Sequence, residues 1–410
     1  MKILLVNKFF YLKGGAEFVF FETAKLLKNK GHQIMFFSMD HPRNLKSEYG
    51  KYFVSNIDYG RKGIKNIIFS SLRLLYSMQA KRRIEELISI EKPDIAHLHN
   101  IYHQISPSIL HALKKYNIPI VMTIHDFKLV CASYLLFTGG HICEACRGGR
   151  YYQCFLKKCV KDSPVKSLLN TMEMYWHHKM LHIYDLVDIF ISPSRFHKDK
   201  IREMGFKGKI IYLSNFINLK EYTPSYSSQE KSVVYLGRLS REKGLGVLLE
   251  AMKGIGAKLK IIGDGPLKKI LFEKTRLENQ KNVEFLGYKT LEELKKEIEK
   301  AMFLILPSEC YENNPLSIMQ AFALGKPVIA SRNGGVPELV RDNETGLTFL
   351  PGDVGDLRAK ILQLLKDRAG QERMGREARR MIEENCSSEV HYKKLLGIYN
   401  SVLLKQGVLE

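Results

Sequence analysis

No run of about 18 apolar residues occurs in this 410-residue chain, so no segment is expected to span a bilayer. Internal repeats and low-complexity tracts are also lacking, which excludes solenoid and fibrous architectures. No complete G-x-G-x-x-G fingerprint follows the first strand, so a nicotinamide-binding reading is weak. The start, Met1-Lys2-Ile3-Leu4-Leu5-Val6-Asn7-Lys8, has no small-residue cleavage site after it. It is read as a first buried strand, not a signal peptide, and a cytoplasmic location is expected. Acidic residues are scarce for the number of basic ones: 64 Lys+Arg stand against 43 Asp+Glu, for a net charge of +21.

That surplus is uneven. Residues 1–225 carry 34 Lys+Arg and 18 Asp+Glu, or +16, while the remainder carries 30 and 25, or +5. A basic excess confined to one half points to a polyanionic partner there, an anionic membrane, a lipid phosphate or nucleic acid, with solubility the alternative. Two segments concentrate it. From Arg61 to Arg83 seven basic residues occur with no acid, interleaved with Ile64, Ile67, Ile68, Phe69, Leu72 and others. Arg147, Arg150, Lys157, Lys158, Lys161 and Lys166 form the second, leading into a helix that bears Tyr175 and Trp176. Ordinary solvated helix faces are the alternative for both.

Hydrophobic content of 45% and charged content of 26% are globular values, and the length suits two domains. Apolar runs at 2–7, 33–38, 94–98, 118–124, 188–192 and 209–213 are predicted strands. Amphipathic stretches at 15–30, 68–91, 106–116, 163–186 and 195–204 are predicted helices. A polar stretch at 214–231 is read as a linker. Strands near 232–237, 258–262, 282–286, 302–306 and 327–331 then repeat the alternation. The expected division is a domain at 1–225 with a Cys-rich insert at 131–160, a second at 226–386, and a helix in 387–410 packing back on the first. Two doubly wound sheets follow from the pattern.

In such sheets ligands bind past the carboxyl ends of strands, where glycine turns expose backbone N–H groups. Gly14-Gly15 precedes the helix opened near Glu17. Gly237-Arg238 ends a strand, and Arg238 and Lys243 flank a loop before a helix, a pairing suited to a diphosphate. Gly263-Asp264-Gly265 and Gly334-Gly335 are further strand-end turns. His125-Asp126 follows the strand Ile120–Ile124, where an imidazole can bond a sugar hydroxyl or a leaving phosphate. His97 and His99 are read as pocket lining or core. Most distinctive is Glu312-Asn313-Asn314-Pro315-Leu316, with Gln320 eight residues after the carboxylate.

Taken in order, these residues resemble the family 4 retaining glycosyltransferases with the GT-B fold, in the bacterial surface-polysaccharide group. The resemblance spans nearly the whole chain. It implies two Rossmann-like domains facing across a cleft, and hexosyl transfer from a UDP- or GDP-linked sugar to a lipid-linked or saccharide acceptor. It also implies peripheral membrane association and no metal in catalysis. On it, Arg238 and Lys243 bind the diphosphate, Glu312 and His125 contact the sugar, and Gln320 reaches the ribose. Gly14, Gly15, Gly237, Gly263, Asp264, Gly265, Asn313, Asn314, Pro315 and Leu316 complete the donor site. The family usually has Glu where Gln320 stands. A nucleotide-sugar epimerase of the same architecture and, more remotely, a nucleic-acid-binding protein are the alternatives.

Five of the seven cysteines fall between Cys131 and Cys159. The spacing Cys143-x2-Cys146-x7-Cys154-x4-Cys159 has the close pairs of a structural zinc site. Unbridged thiols and disulfides are the other readings.

Overall fold

The computed structural model describes residues 1–57 and 64–405; Arg61 and Lys62 lie outside them, as do the side chains of Ile64, Lys65, Ile67, Ile68 and Phe69. The strands in chain order are β1 (Lys2–Val6), β2 (Gln33–Phe37), β3 (Ile95–Leu98), β4 (Ile120–Thr123), β5 (Phe137–Thr138), β6 (His141–Ile142), β7 (Ile189–Ser192) and β8 (Ile210–Tyr212). They continue as β9 (Ser232–Leu236), β10 (Lys258–Ile262), β11 (Val283–Gly287), β12 (Phe303–Leu306), β13 (Val328–Ser331) and β14 (Gly346–Phe349). Two compact units emerge. The first comprises Met1–Leu135 and Glu144–Leu213 with the chain from Tyr392 on; the second comprises Leu136–Cys143 and Ser214–His391.

Each unit is built on a six-stranded parallel sheet. In the first the order is β2-β1-β3-β4-β7-β8. In the second it is β11-β10-β9-β12-β13-β14, the order of a dinucleotide-type fold. The central strands β3, β4, β12 and β13 are buried at every residue. That explains why they read as unbroken apolar runs: helices cover both faces, so neither side chain parity meets water. The second unit's core joins Val233 and Tyr235 of β9 and Leu259 and Ile261 of β10 to Leu245, Leu248 and Leu249 of α8 (Leu245–Ala251).

The order of the strands fixes where a ligand crevice can open. Connections leave β1 and β3 in opposite directions in the first unit, and leave β9 and β12 in opposite directions in the second. Such a switch point separates the two loops that follow the paired strands and leaves a crevice between them.

Several elements differ from the sequence expectation. The helix expected at 68–91 is two helices, Ile64–Leu75 and Met78–Glu91, with Ser77 capping the second through Ala80 N–H. The helix expected at 163–186 ends at Tyr175 and continues as a π-turn over Trp176–Met180. Strand β14 and the β5–β6 hairpin lie outside the expected strands; the hairpin strands are only two residues long, too short to carry a period. The last helix, Ser388–Lys405, joins the first unit's core through Tyr399, whose hydroxyl lies 2.6 Å from His97 Nδ1.

Candidate functional site

In the second unit the switch point brings together the loop after β9 and the loop after β12. Lys243 Nζ donates to Glu312 Oε1 at 2.5 Å, and Ser308 Oγ donates to the same oxygen at 2.5 Å. Burial disfavours the Lys243 ammonium, but the Glu312 carboxylate more than offsets it, so the lysine pKa is raised and the cation is secure at neutral pH. Backbone bonds tie the loops: Glu309 N donates to Glu242 O at 2.9 Å, and Gly335 N to Glu312 O at 2.7 Å.

Two glycines are dictated by these approaches. Gly244 sits at φ +66°, and a Cβ there would lie 1.9 Å from Pro307 O. Gly334 sits at φ +63°, and its Cβ would lie 2.2 Å from Glu312 O. No other residue type lets the strands' exit loops close this far. Gly263 and Gly265 back the loop after β9 in the same way, against Gly237 O and Leu239 O.

Arg238 is exposed and, among the described residues, makes no ion pair. Its cation is therefore available to an anionic ligand, while Lys243 is held beside a carboxylate. Asp264 is exposed and spent locally, accepting from Gly265 N–H at 2.7 Å and Lys268 Nζ at 3.1 Å. Helix α11 (Leu316–Ala323) starts at Pro315, so the N–H groups of its first turn have no acceptor within the helix. Asn314 is buried and braced: Asn215 Nδ2 donates to its carbonyl at 3.1 Å, and Ser214 Oγ to its Oδ1 at 3.4 Å. Gln320 is only 7% exposed on this helix.

The first unit has its own polar cluster at the β1/β3 switch point. Gly14 caps α1 (Gly15–Asn29) with φ −171°, extended backbone open to any residue, so the Gly14-Gly15 pair is not forced by conformation. His125 Nε2 lies 2.8 Å from His99 Nδ1, and the rings stack at 5.1 Å. Burial and then the Lys8 charge depress the His125 pKa to about 4, so the ring is neutral at pH 7 and donates one N–H. Asp126 is pushed up by burial, against the pull of Lys8 and the Lys128 N–H at 2.9 Å.

Two residues of this cluster, Lys8 and Glu17, escaped the sequence reading as functional candidates, while His99 was read as pocket lining or core. Glu17 is buried, 3.4 Å from Asn7 Nδ2, and burial raises its pKa. The signal available was Lys8 interrupting the first apolar strand and Glu17 following a glycine pair. Position alone could not say that both converge with His125.

The cysteines expected to hold zinc are Cys143, Cys146, Cys154 and Cys159. Among the described residues no group of three or more His, Cys, Asp or Glu is arranged to hold a metal ion. Cys143 follows the β6 strand in the second unit, while Cys146, Cys154 and Cys159 belong to the first. The thiol of Cys154 is held protonated by its hydrogen bond with Cys159, by burial, and by Cys131 and Cys146. No disulfide joins the cysteines.

Family comparison settles the class. The model of Glycosyltransferase Family 4 matches residues 13–221, half of the chain, and that of Glycosyl transferases group 1 matches residues 223–381. The chain belongs to glycosyltransferase family 4. It is 25% identical to the N-acetyl-alpha-D-glucosaminyl L-malate synthase of Bacillus anthracis over 398 residues, 95% of this chain and 94% of that one. It is 31% identical over 230 residues to the amylovoran biosynthesis glycosyltransferase AmsK of Erwinia amylovora, covering 52% of this chain and 56% of AmsK. Among solved structures, Anabaena HepE in complex with UDP-glucose superimposes with a TM-score of 0.69 at 16% identity, covering 98% of this chain and 100% of that one. The fold is GT-B-like, and these relatives give no support to the epimerase alternative.

Proposed function

We propose that this glycosyltransferase moves a hexose from a nucleotide diphosphate sugar to a lipid-linked or polysaccharide acceptor, with retention at the anomeric carbon. One observation carries the reading: a secured lysine, an exposed arginine and the open N-terminus of α11 lie on loops from one switch point, around Glu312. Together they offer positive potential for a diphosphate and a carboxylate for sugar hydroxyls. HepE was solved with UDP-glucose, and AmsK acts in amylovoran biosynthesis, which supports a UDP-linked donor and a surface saccharide as acceptor.

In the step proposed, the bond from C1 to the diphosphate oxygen breaks and its electron pair leaves with the diphosphate. Arg238 and Lys243 stabilise that charge without a metal. The acceptor oxygen bonds to C1, and its proton passes to the departing diphosphate. Glu312 orients the sugar, Gln320 holds the ribose, and neutral His125 donates to a sugar hydroxyl. Peripheral attachment to an anionic membrane, expected from the basic N-terminal half, belongs to the same reading.

A thermal-shift panel of UDP, GDP, UDP-glucose and GDP-mannose tests it, since a bound carrier stabilises the fold by mass action. One nucleotide series is expected to raise Tm, and Lys243→Met is expected to remove that shift and to lower kcat about 10²–10³-fold. A Lys243→Met protein with unchanged donor binding and turnover would overturn the assignment.

A further inference from the structure

Helix α6 (Pro164–Tyr175) is amphipathic the wrong way round for a soluble helix. Its inward face is largely polar: Ser167, Asn170, Thr171 and Glu173 are buried, with Met174 the one apolar residue among them. Its outward face is apolar: Val165 is 61% exposed, Leu168 43%, Met172 49% and, just past its end, Trp176 39%. These four recur at spacings of three and four, so they form one stripe.

The inward face is held by specific bonds, so the helix cannot turn its apolar stripe inward. Glu173 Oε2 accepts from Lys128 Nζ at 2.7 Å and lies 3.2 Å from His103 Nε2. Asn170 Oδ1 accepts from the same ammonium at 3.4 Å, and Thr171 Oγ1 donates to Tyr151 O at 3.2 Å. Ser167 Oγ accepts from Val160 N–H at 3.0 Å. Lys128 belongs to the loop that begins at His125-Asp126, so the helix that exposes the stripe also anchors that loop.

The neighbouring helix α5 (Tyr152–Leu156) adds to the apolar surface, with Phe155 39% and Leu156 62% exposed. Lys157, Lys158, Lys161 and Lys166 surround it, all exposed, and none is in an ion pair with a described residue. Between Glu144 and the inward Glu173 the only acid is Asp162. An apolar stripe rimmed by uncompensated lysines matches the interface of an anionic bilayer, acyl chains beneath and phosphates around. A protein partner would have to offer a matching acidic rim as well as an apolar groove.

We infer that the α5–α6 face is the membrane-docking surface of this enzyme, seating Leu168, Met172 and Trp176 among the acyl chains of an anionic leaflet. The inference rests on the proposed function only in placing the acceptor at a membrane. Its test needs no sugar donor.

Trp176 is the chain's single tryptophan, so its fluorescence reports this face alone. With phosphatidylglycerol vesicles its emission is expected to shift to the blue and to be quenched by lipids brominated in the acyl chains. Phosphatidylcholine vesicles, or high salt, should reduce both effects. Leu168→Ser with Met172→Ser is expected to weaken partitioning at least tenfold, and each of Lys157→Glu and Lys161→Glu at least about fivefold. Lys269→Glu, exposed in the second unit, should leave it unchanged. Any UDP thermal shift should persist in all of these variants, which separates a docking failure from a donor-site failure. Three results would overturn the inference: no sedimentation with anionic vesicles, sedimentation without a Trp176 response, or a stable dimer that the Leu168→Ser, Met172→Ser protein loses.

Discussion

Gln320 concentrates the residue-scale chemistry of the proposed donor site. It is buried on α11, where the resemblance to the family implies a glutamate. A hydrogen bond to a charged acceptor is worth roughly 1.5–3 kcal/mol and a neutral one roughly 0.5–1.5. Gln320→Glu is therefore expected to tighten donor binding about five- to tenfold, read as a dissociation constant by calorimetry. An equal or weaker constant would remove the ribose contact from the account. Glu312 shows the complementary case. Its place before a turn was legible, but the three-way meeting with Lys243 and Ser308 depends on β9 and β12 being neighbours.

At the scale of elements, α6 is the informative case. Periodicity finds the helix but does not say which of its faces meets the core, where apolar stripes normally go. The buried partners of Glu173 decide it. Removing one member of a buried ion pair commonly costs 3–5 kcal/mol, whereas replacing both by apolar groups can be near neutral. Lys128→Met alone is thus expected to lower the urea midpoint markedly, and the Lys128→Met, Glu173→Met double variant to recover part of the loss. Strictly additive effects would show that the pair does not hold the helix. His103 keeps the recovery incomplete, since it too lies against Glu173.

For the whole molecule, buried histidines couple folding to pH. Burial depresses the His125 pKa to about 4 and those of His178 and His197 to about 3. Unfolded, each would titrate near 6.5. Between these values the unfolded chain binds more protons, so stability must fall as pH drops below about 6.5. His125 alone accounts for about 3 kcal/mol once pH passes below 4, at about 1.4 kcal/mol per pH unit. Asp126 and Glu17, raised by burial, act in the opposite sense. Glu173, held low despite its burial chiefly by Lys128 and His103, adds to the loss in stronger acid. Denaturation midpoints at pH 7, 5.5 and 4.5 are expected to decline in that order. A midpoint that rose on acidification would contradict the buried neutral histidines.

What the amino-acid order determined alone was the alternation of apolar strands and helices, the family, and the residues that end each strand. Those are local properties, set by periodicity, turn chemistry and charge along a few neighbouring positions. Tertiary structure decided the rest, because it depends on which strands lie side by side. Strand order put Lys243 on Glu312 and gathered Lys8 and Glu17 with His125. It also turned the polar side of α6 inward, a choice governed by the buried Lys128 ammonium 45 residues upstream of the carboxylate that it meets.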